Sequence, residues 1–306
     1  MFHSLDELVQ AARQIRPARI AVVAGNDPDA IRAIDQARAI GLAAGTFIGD
    51  RESIRAAAAK VGLTVAPEQI LHEPDDARAA QKAISLVREG KADMLMKGKT
   101  STAGLIRAVL DRDSGLRTGR LLSQVIVFQV PGLDRLMLMS DAAINIAPTL
   151  ETKADMCRNA IDVAHAVGIE RPNVALLCAL EFVNPDMPAT VDAAALTQMN
   201  RRGQIAGAYL EGPLALDVVL SAFAAERKGI ESPLVGNTDV LIAPDIEAAN
   251  ILYRAILYFA KGESGGIVGG ASVPLVLLSR AETPETKLRS IAIAKLVAAG
   301  GTTATP

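Results

Sequence analysis

Several residue types are scarce in this chain, and each shortage removes a class of protein. Only two cysteines, Cys157 and Cys178, and three histidines, His3, His72 and His165, occur among 306 residues. None of them forms a Cys-x-x-Cys or His-x-x-x-His pair, so neither a disulfide framework nor a zinc site is expected, and no metal ligand set is assigned. Tryptophan is absent and aromatics make up 3%, so the core must be built from Ala, Val, Ile and Leu. That palette suits helices packed on a parallel sheet. Neither sign of charge dominates, with 32 basic against 34 acidic residues. This argues against a nucleic-acid surface or a polybasic membrane patch, while leaving room for local cations that hold anionic substrates. No uncharged apolar stretch reaches the roughly 18–20 residues that cross a bilayer, and the opening segment reads as a capped helix, so a cytoplasmic protein is expected.

What is present is alternation. Ser4 and Glu7 form a capping box for a first helix. An apolar run, 19–25, reads as a buried strand, and Asn26-Asp27-Pro28 supplies a helix start. The unit repeats as strand 46–49 and helix 52–61, strand 69–72 and helix 74–89, then strand 93–96 and helix 100–110. Such alternation predicts parallel β-α-β units with ligands at the carboxyl ends of the strands. After Arg112 the rhythm changes. Two apolar runs, 122–130 and 136–139, joined by Pro131-Gly132, predict a hairpin. Helices follow at 151–167, 192–200 and 214–228, with a strand at 174–180. Then come strand 239–242, helix 246–261, strand 273–278 and helix 284–299. The glycine group Gly265-Gly266-Ile-Val-Gly269-Gly270 reads as a place of close backbone approach to a ligand or another strand, and lacks the spacing of a dinucleotide fingerprint.

Chemistry gathers at a few loops. Lys97-Gly-Lys-Thr-Ser-Thr102 lies between a strand end and a helix start, where free N–H groups and the helix dipole favour an anion. The segment reads either as an anion cradle or as an ordinary cap with solvated lysines. A nucleotide P-loop would need glycine at 93, and Asp93 stands there. Ser279-Arg280 follows an apolar strand, with Thr283 and Pro284 beginning another helix; a planar guanidinium suits phosphate. Asp141 and Asn145 follow a strand and read as a turn or as ligand groups. Asp245 is a helix cap, and Glu247 and Asn250 share one helix face. Both cysteines fall on apolar faces and read as core thiols, and His165 has no evident Ser or Asp partner.

Seven segments taken in order resemble the phosphate acetyl/butyryltransferase family: MKGKTSTAGLIRAVL, LRTGRLLSQV, SDAAINIAP, EGPLALD, NTDVLIAPDIEAANILYRAI, GGIVGGASVPLVLLSR and TPETKLRSIA, which together run from about residue 90 to 292. The resemblance implies an isocitrate/isopropylmalate-dehydrogenase-like fold, with two α/β domains, mostly parallel sheets and a cleft between them. Residues 1–118 and 267–306 would form the first domain, and 119–266 a second that pairs subunits into a homodimer or higher assembly. The implied reaction moves a short acyl group between coenzyme A and inorganic phosphate, by thiol attack on acyl phosphate in a ternary complex. It needs no tightly bound cofactor; coenzyme A is a substrate, and the partners are small molecules. By the same resemblance Arg280 binds phosphate, Ser279 lies near the reacting carbonyl and Arg107 is a second substrate arginine. From the reading of the loops themselves, Lys97, Thr100, Ser101, Asn145, Glu247 and Asn250 are the candidate substrate contacts beside them. The acetyl branch has an Asp base a few residues past the Ser-Arg pair. Here that position is Thr286, with Glu285 beside it as the candidate base, and the TPETK string resembles the butyryl branch.

Three rival readings remain at this level. Acyl transfer from an acyl carrier protein would need a basic docking patch, and none is concentrated in the sequence. A decarboxylating dehydrogenase would need NAD and an Asp cluster, and Asp111, Asp113, Asp141 and Asp245 lack such spacing. A coenzyme-A- or acyl-phosphate-binding regulator without turnover is the non-enzymatic alternative.

Overall fold

The computed structural model describes residues 2–277 and 282–300. The chain divides into two compact units: a terminal unit, Asp6–Arg120 with Gly265–Pro306, and a middle unit, Met1–Leu5 with Leu121–Ser264.

In the terminal unit the sheet runs in the order β3 (Ile70–His72), β2 (Ala43–Gly49), β1 (Ala18–Val23), β4 (Met94–Lys97), β11 (Leu275–Val276) and β10 (Glu263–Gly269). The first five strands are parallel, and β10 runs antiparallel to β11. Strands β1 and β4 are buried at nearly every position by Ile20, Val22, Met94, Leu95 and Met96, as expected for strands with helices on both faces. Helices α2 (Pro28–Ala39), α3 (Arg51–Lys60) and α4 (Asp76–Arg88) start on carboxylate caps. Asp27 accepts from the Asp29 and Ala30 N–H groups, Asp50 from Ser53, and Asp75 from Arg78. Each cap satisfies donors that the first helical turn leaves without partners. Helices α1 (Leu5–Arg13), α5 (Thr102–Val109) and α11 (Pro284–Gly300) complete the unit.

The middle unit orders its strands β5 (Ser123–Gln129), β6 (Met137–Ser140), β9 (Val240–Ile242), β7 (Asn173–Leu177) and β8 (Tyr209–Leu214). The hairpin β5–β6 is antiparallel and the remaining pairs are parallel. Helices α6 (Leu150–Ala166), α7 (Pro188–Arg201), α8 (Leu216–Leu220), α9 (Ala222–Lys228) and α10 (Ile246–Tyr258) belong to it. Its core gathers Ile126, Met139, Leu214, Val218, Leu241 and Tyr253.

Three sequence expectations fail here. The segment before 214 holds a strand, β8, and the expected helix 214–228 is two short helices, since Ser221 ends α8 and its hydroxyl caps α9. Strand β8 carries Gly212-Pro213, which erases the usual apolar alternation. The strand tolerates proline because it lies last in the sheet order, where a missing N–H breaks no ladder. The glycine group is likewise strand β10, and what approaches it closely is a helix. A Cβ on Gly265 would meet the Arg289 backbone and Cβ at 2.9 Å, so glycine lets α11 pack onto the strand. The expected strand 273–278 shortens at its start, with Pro274 immediately preceding Leu275.

At the amino end of β4, Asp93 binds Arg19 at 2.6 Å and Arg16 at 2.9 Å and accepts the Arg19 N–H at 2.8 Å. Burial pushes its carboxyl up, but the hydrogen bonds from the two arginines more than reverse this and hold it well below the usual carboxylate range. A depressed folded pKa gives stability that is complete above the unfolded value of about 4 and is lost as pH falls through the folded one. Asp93→Asn should therefore lose about 1–2 kcal/mol at pH 7. In denaturant titrations the gap to the parent chain should narrow progressively below pH ~4; an equal gap at pH 3 would contradict the assignment.

Candidate active site

The lysine–threonine loop is held by the strand that precedes it and by the helix that follows. Beyond β4, the N–H groups of Gly98 and Lys99 donate to the Val23 and Ala24 carbonyls at 2.8 and 2.9 Å, so the loop is stapled to the exit of β1. A side chain at 98 would collide with those same two carbonyls, which explains the glycine. Ser101 has extended backbone angles, and its Oγ accepts from the Gly104 N–H at 3.0 Å, capping α5. Its neighbours Thr102 and Ala103 begin the helix, so their N–H groups have no intrahelical acceptor. Thr100 is buried. Lys97 folds back: its Nζ donates to the carbonyls of Gly98 and Thr100 at 3.1 and 3.4 Å. It thus braces the loop while adding positive charge to it. Arg107 is exposed in the last turn of α5.

Strand β11 lies beside β4, with Leu275 opposite Leu95 and Val276 opposite Met96. Both strands are parallel, so the loop that leaves β11 departs from the same edge as the lysine–threonine loop, one strand spacing away, about 4.8 Å. Ser279 and Arg280 fall in that loop and lie outside the described residues. The chain is described again at Glu282, and α11 then starts at Pro284. There Thr283 Oγ1 accepts from the Thr286 N–H at 3.3 Å. Glu285 is exposed in the first turn. Its own backbone N–H and the Thr283 hydroxyl hold its carboxyl below the usual range, with Arg289 adding to this. A carboxylate so stabilised is a fixed anion at neutral pH and a weak base.

In the middle unit the polar residues serve the loop that carries them. Asp141 is buried and accepts from the N–H groups of Ala143, Ile144 and Asn145 and from Asn145 Nδ2 at 2.6 Å. Burial still raises its carboxyl pKa, against those donors. Asn145 Nδ2 also donates to the Leu122 carbonyl at 2.9 Å, and Asn250 Nδ2 donates to Ala142 at 3.1 Å. Asn145 and Asn250 are thus brought to one turn, to which each donates through its amide nitrogen. Asp245 caps α10, as expected, and Glu247 is exposed in the first turn.

Two features escape the sequence pattern. Lys287, inside the TPETK string, is only 5% exposed, and its Nζ lies 3.5 Å from Asp29 at the start of α2. Its place four residues before Ile291 on the inner face of α11 was the available signal. Gly262-Glu-Ser-Gly-Gly266 has the spacing of a nucleophile elbow. Ser264, however, lies within strand β10, is buried, and shares a hydrogen bond with the Tyr253 hydroxyl at 3.0 Å, so no turn presents it for attack.

The family model described as phosphate acetyl/butaryl transferase matches residues 67–295. The chain belongs to that family. It is 43% identical over 298 residues to the phosphate butyryltransferase of Clostridium acetobutylicum, covering 97% of this chain and 99% of the relative. It is 42% identical over 298 residues to the phosphate acetyltransferase of Thermotoga maritima, covering 96% and 99%. The crystal structure of a branched-chain phosphotransacylase from Enterococcus faecalis matches with a TM-score of 0.78 at 31% identity, over 92% of this chain and 99% of that one. The mostly parallel α/β sheets are thus those of the phosphotransacylase fold.

The loop geometry makes a family-independent prediction. Gly98→Ala forces a methyl group against two backbone carbonyls that also accept the loop's N–H groups. Chemical denaturation should register a loss of about 2 kcal/mol. An unchanged midpoint would mean that the loop does not depend on the β1 exit.

Proposed function

We propose that this chain catalyses reversible transfer of a short acyl group, butyryl or acetyl, between coenzyme A and inorganic phosphate. The observation that supports the reading is the parallel pairing of β4 with β11, which directs the chain out of both strands at one sheet edge. The 43% identity to a phosphate butyryltransferase over nearly the whole chain supports the same substrates.

In the proposed mechanism the coenzyme A thiolate attacks the carbonyl carbon of acyl phosphate. A carbon–sulfur bond forms, charge collects on the carbonyl oxygen, and the carbon–oxygen bond to phosphate breaks as phosphate leaves. Arg280, the N–H groups that open α5, and Lys97 with Thr100 and Ser101 receive the phosphoryl group. Ser279 donates to the carbonyl oxygen, and Arg107 adds a second guanidinium from α5. Glu285 takes the thiol proton. Because its carboxyl is held low, transfer from a thiol of pKa about 8.5 is uphill, and the positive field of two helix N-termini and Arg280 must lower the thiol. Direct attack, without an acyl-cysteine, is supported by the state of both thiols: burial pushes Cys157 up to about 12 and Cys178 up to about 11. Neither supplies a thiolate at neutral pH.

The reading includes a homodimer. Among the described residues, the exposed large apolar side chains lie in the middle unit, Leu71 apart, with Ile251, Tyr258 and Phe259 along α10 and its end and Phe223 on α9. A second copy of this chain is the occupant we assign to that surface.

The test is phosphate-dependent thiol release from acetyl-, propionyl- and butyryl-CoA, with the parent chain and Arg280→Ala. Turnover should appear with at least one thioester and fall about 10²–10³-fold in the variant, the usual loss for one transition-state donor. Absence of phosphate-dependent release refutes the function. Normal rates in Arg280→Ala refute the assignment of that arginine.

A further inference from the structure

The terminal unit contains a groove of about 450 Å³ that none of the proposed chemistry uses. Asn26, Asp27, Pro28 and Asp29 form one wall, at the exit of β1 and the start of α2. Ser53, Ala56, Ala57 and Lys60 of α3 form another, and Lys99 reaches in from the lysine–threonine loop. Its size falls within the range that holds small ligands.

The charges are arranged unequally. Both acidic groups of the lining already have partners: Asp27 accepts two backbone N–H groups of α2, and Asp29 faces Lys287. Lys60 and Lys99 are exposed, and their side chains make no ion pair or hydrogen bond among the described residues. The groove therefore offers two uncommitted cations, set on different elements. Between them the apolar part of the lining is Pro28, Ala56 and Ala57. Asn26 brings an amide that can both donate and accept. Apolar faces, an amide edge and two separated cations are what an adenine nucleotide with two phosphorylated positions requires.

The groove also lies on the correct edge. Lys99 belongs to the loop already assigned to the phosphoryl group, and the Asp29–Lys287 contact ties the groove wall to the first turns of α11. From the exit of β1 to that of β11 is two strand spacings, about 10 Å. The pantetheine arm of coenzyme A, two amide-linked segments ending in a thiol, is longer than that. We propose that this groove binds the adenosine 3′-phosphate 5′-diphosphate end of coenzyme A, with Lys99 on the diphosphate and Lys60 on the 3′-phosphate. The inference rests on the acyl transfer reading, from which it takes the thiol substrate.

The test compares coenzyme A, dephospho-coenzyme A and pantetheine as thiol acceptors from butyryl phosphate. The parent chain should prefer coenzyme A over dephospho-coenzyme A by about tenfold in kcat/KM, the scale of one charge-assisted contact. Lys60→Glu should abolish that preference, and raised salt should erode it in the parent. Ala56→Trp should raise KM for both nucleotides about tenfold, without raising it for pantetheine. Both substituted positions are exposed, so the fold should survive the changes. Lys60→Glu with the parent preference, together with Ala56→Trp with the parent KM, overturns the proposal. Should the parent chain show no turnover, the acyl transfer reading fails instead. Calorimetric titration of coenzyme A against the same variants then decides the groove: weaker binding in Lys60→Glu supports it, and equal binding overturns it.

Discussion

Everything assigned to this molecule depends on a few backbone hydrogen bonds between β4 and β11, strands about 180 residues apart in sequence. The chain leaves the terminal unit after β4 and α5, builds the middle unit, and returns as β10 and β11. Because β11 lies parallel to β4, the loop leaving it departs from the same edge as the lysine–threonine loop. Antiparallel pairing would send the Ser279–Arg280 segment to the opposite edge, toward the Asp93 clamp. Parallel pairs need a long crossover, and here the crossover is a whole unit. Close packing enforces the arrangement: Gly265 admits α11 to the sheet, and Gly98 admits its loop to the exit of β1.

Charge is distributed to match. At the amino edge of β4, the carboxylate of Asp93 is held ionised by two arginines and serves stability. At the carboxyl edge the helix starts of α2, α5 and α11, with Lys97 and Lys99, make the surroundings favourable to phosphates. Cysteine and serine nucleophiles are withdrawn from the chemistry. Both thiols are raised by burial, and Ser264 is bonded inside a strand. A mechanism in which the substrate brings its own thiol is consistent with that withdrawal.

Much of this was legible in the sequence, for local reasons. Asp27-Pro28, Asp245 and Thr283-Pro284 announce helix starts because capping chemistry depends on neighbours a few residues away. The hairpin across Pro131-Gly132 is likewise a local matter. Strands β8 and β10 were not legible. Their Gly-Pro and Gly-Gly content hides apolar alternation, and only their positions in the sheet make those residues acceptable. At the site, the loop 97–102 and the turn 141–145 were found from residue type. That Lys97 bends onto its own carbonyls, and that Asn145 and Asn250 brace a turn, depend on side-chain geometry. The groove could not be read at all: Asn26, Lys60 and Lys99 come from three separate elements and share no spacing.

The central claim is that the two loops grip one phosphoryl group. A double-mutant cycle on the kcat/KM for phosphate, with Lys97→Ala, Arg280→Ala and both together, measures this most directly. Groups that hold the same ligand couple, so the double variant should depart from additivity by about 0.5–3 kcal/mol. Losses that simply add, to within about 0.3–0.5 kcal/mol, would mean that the loops act on different groups and would contradict the account.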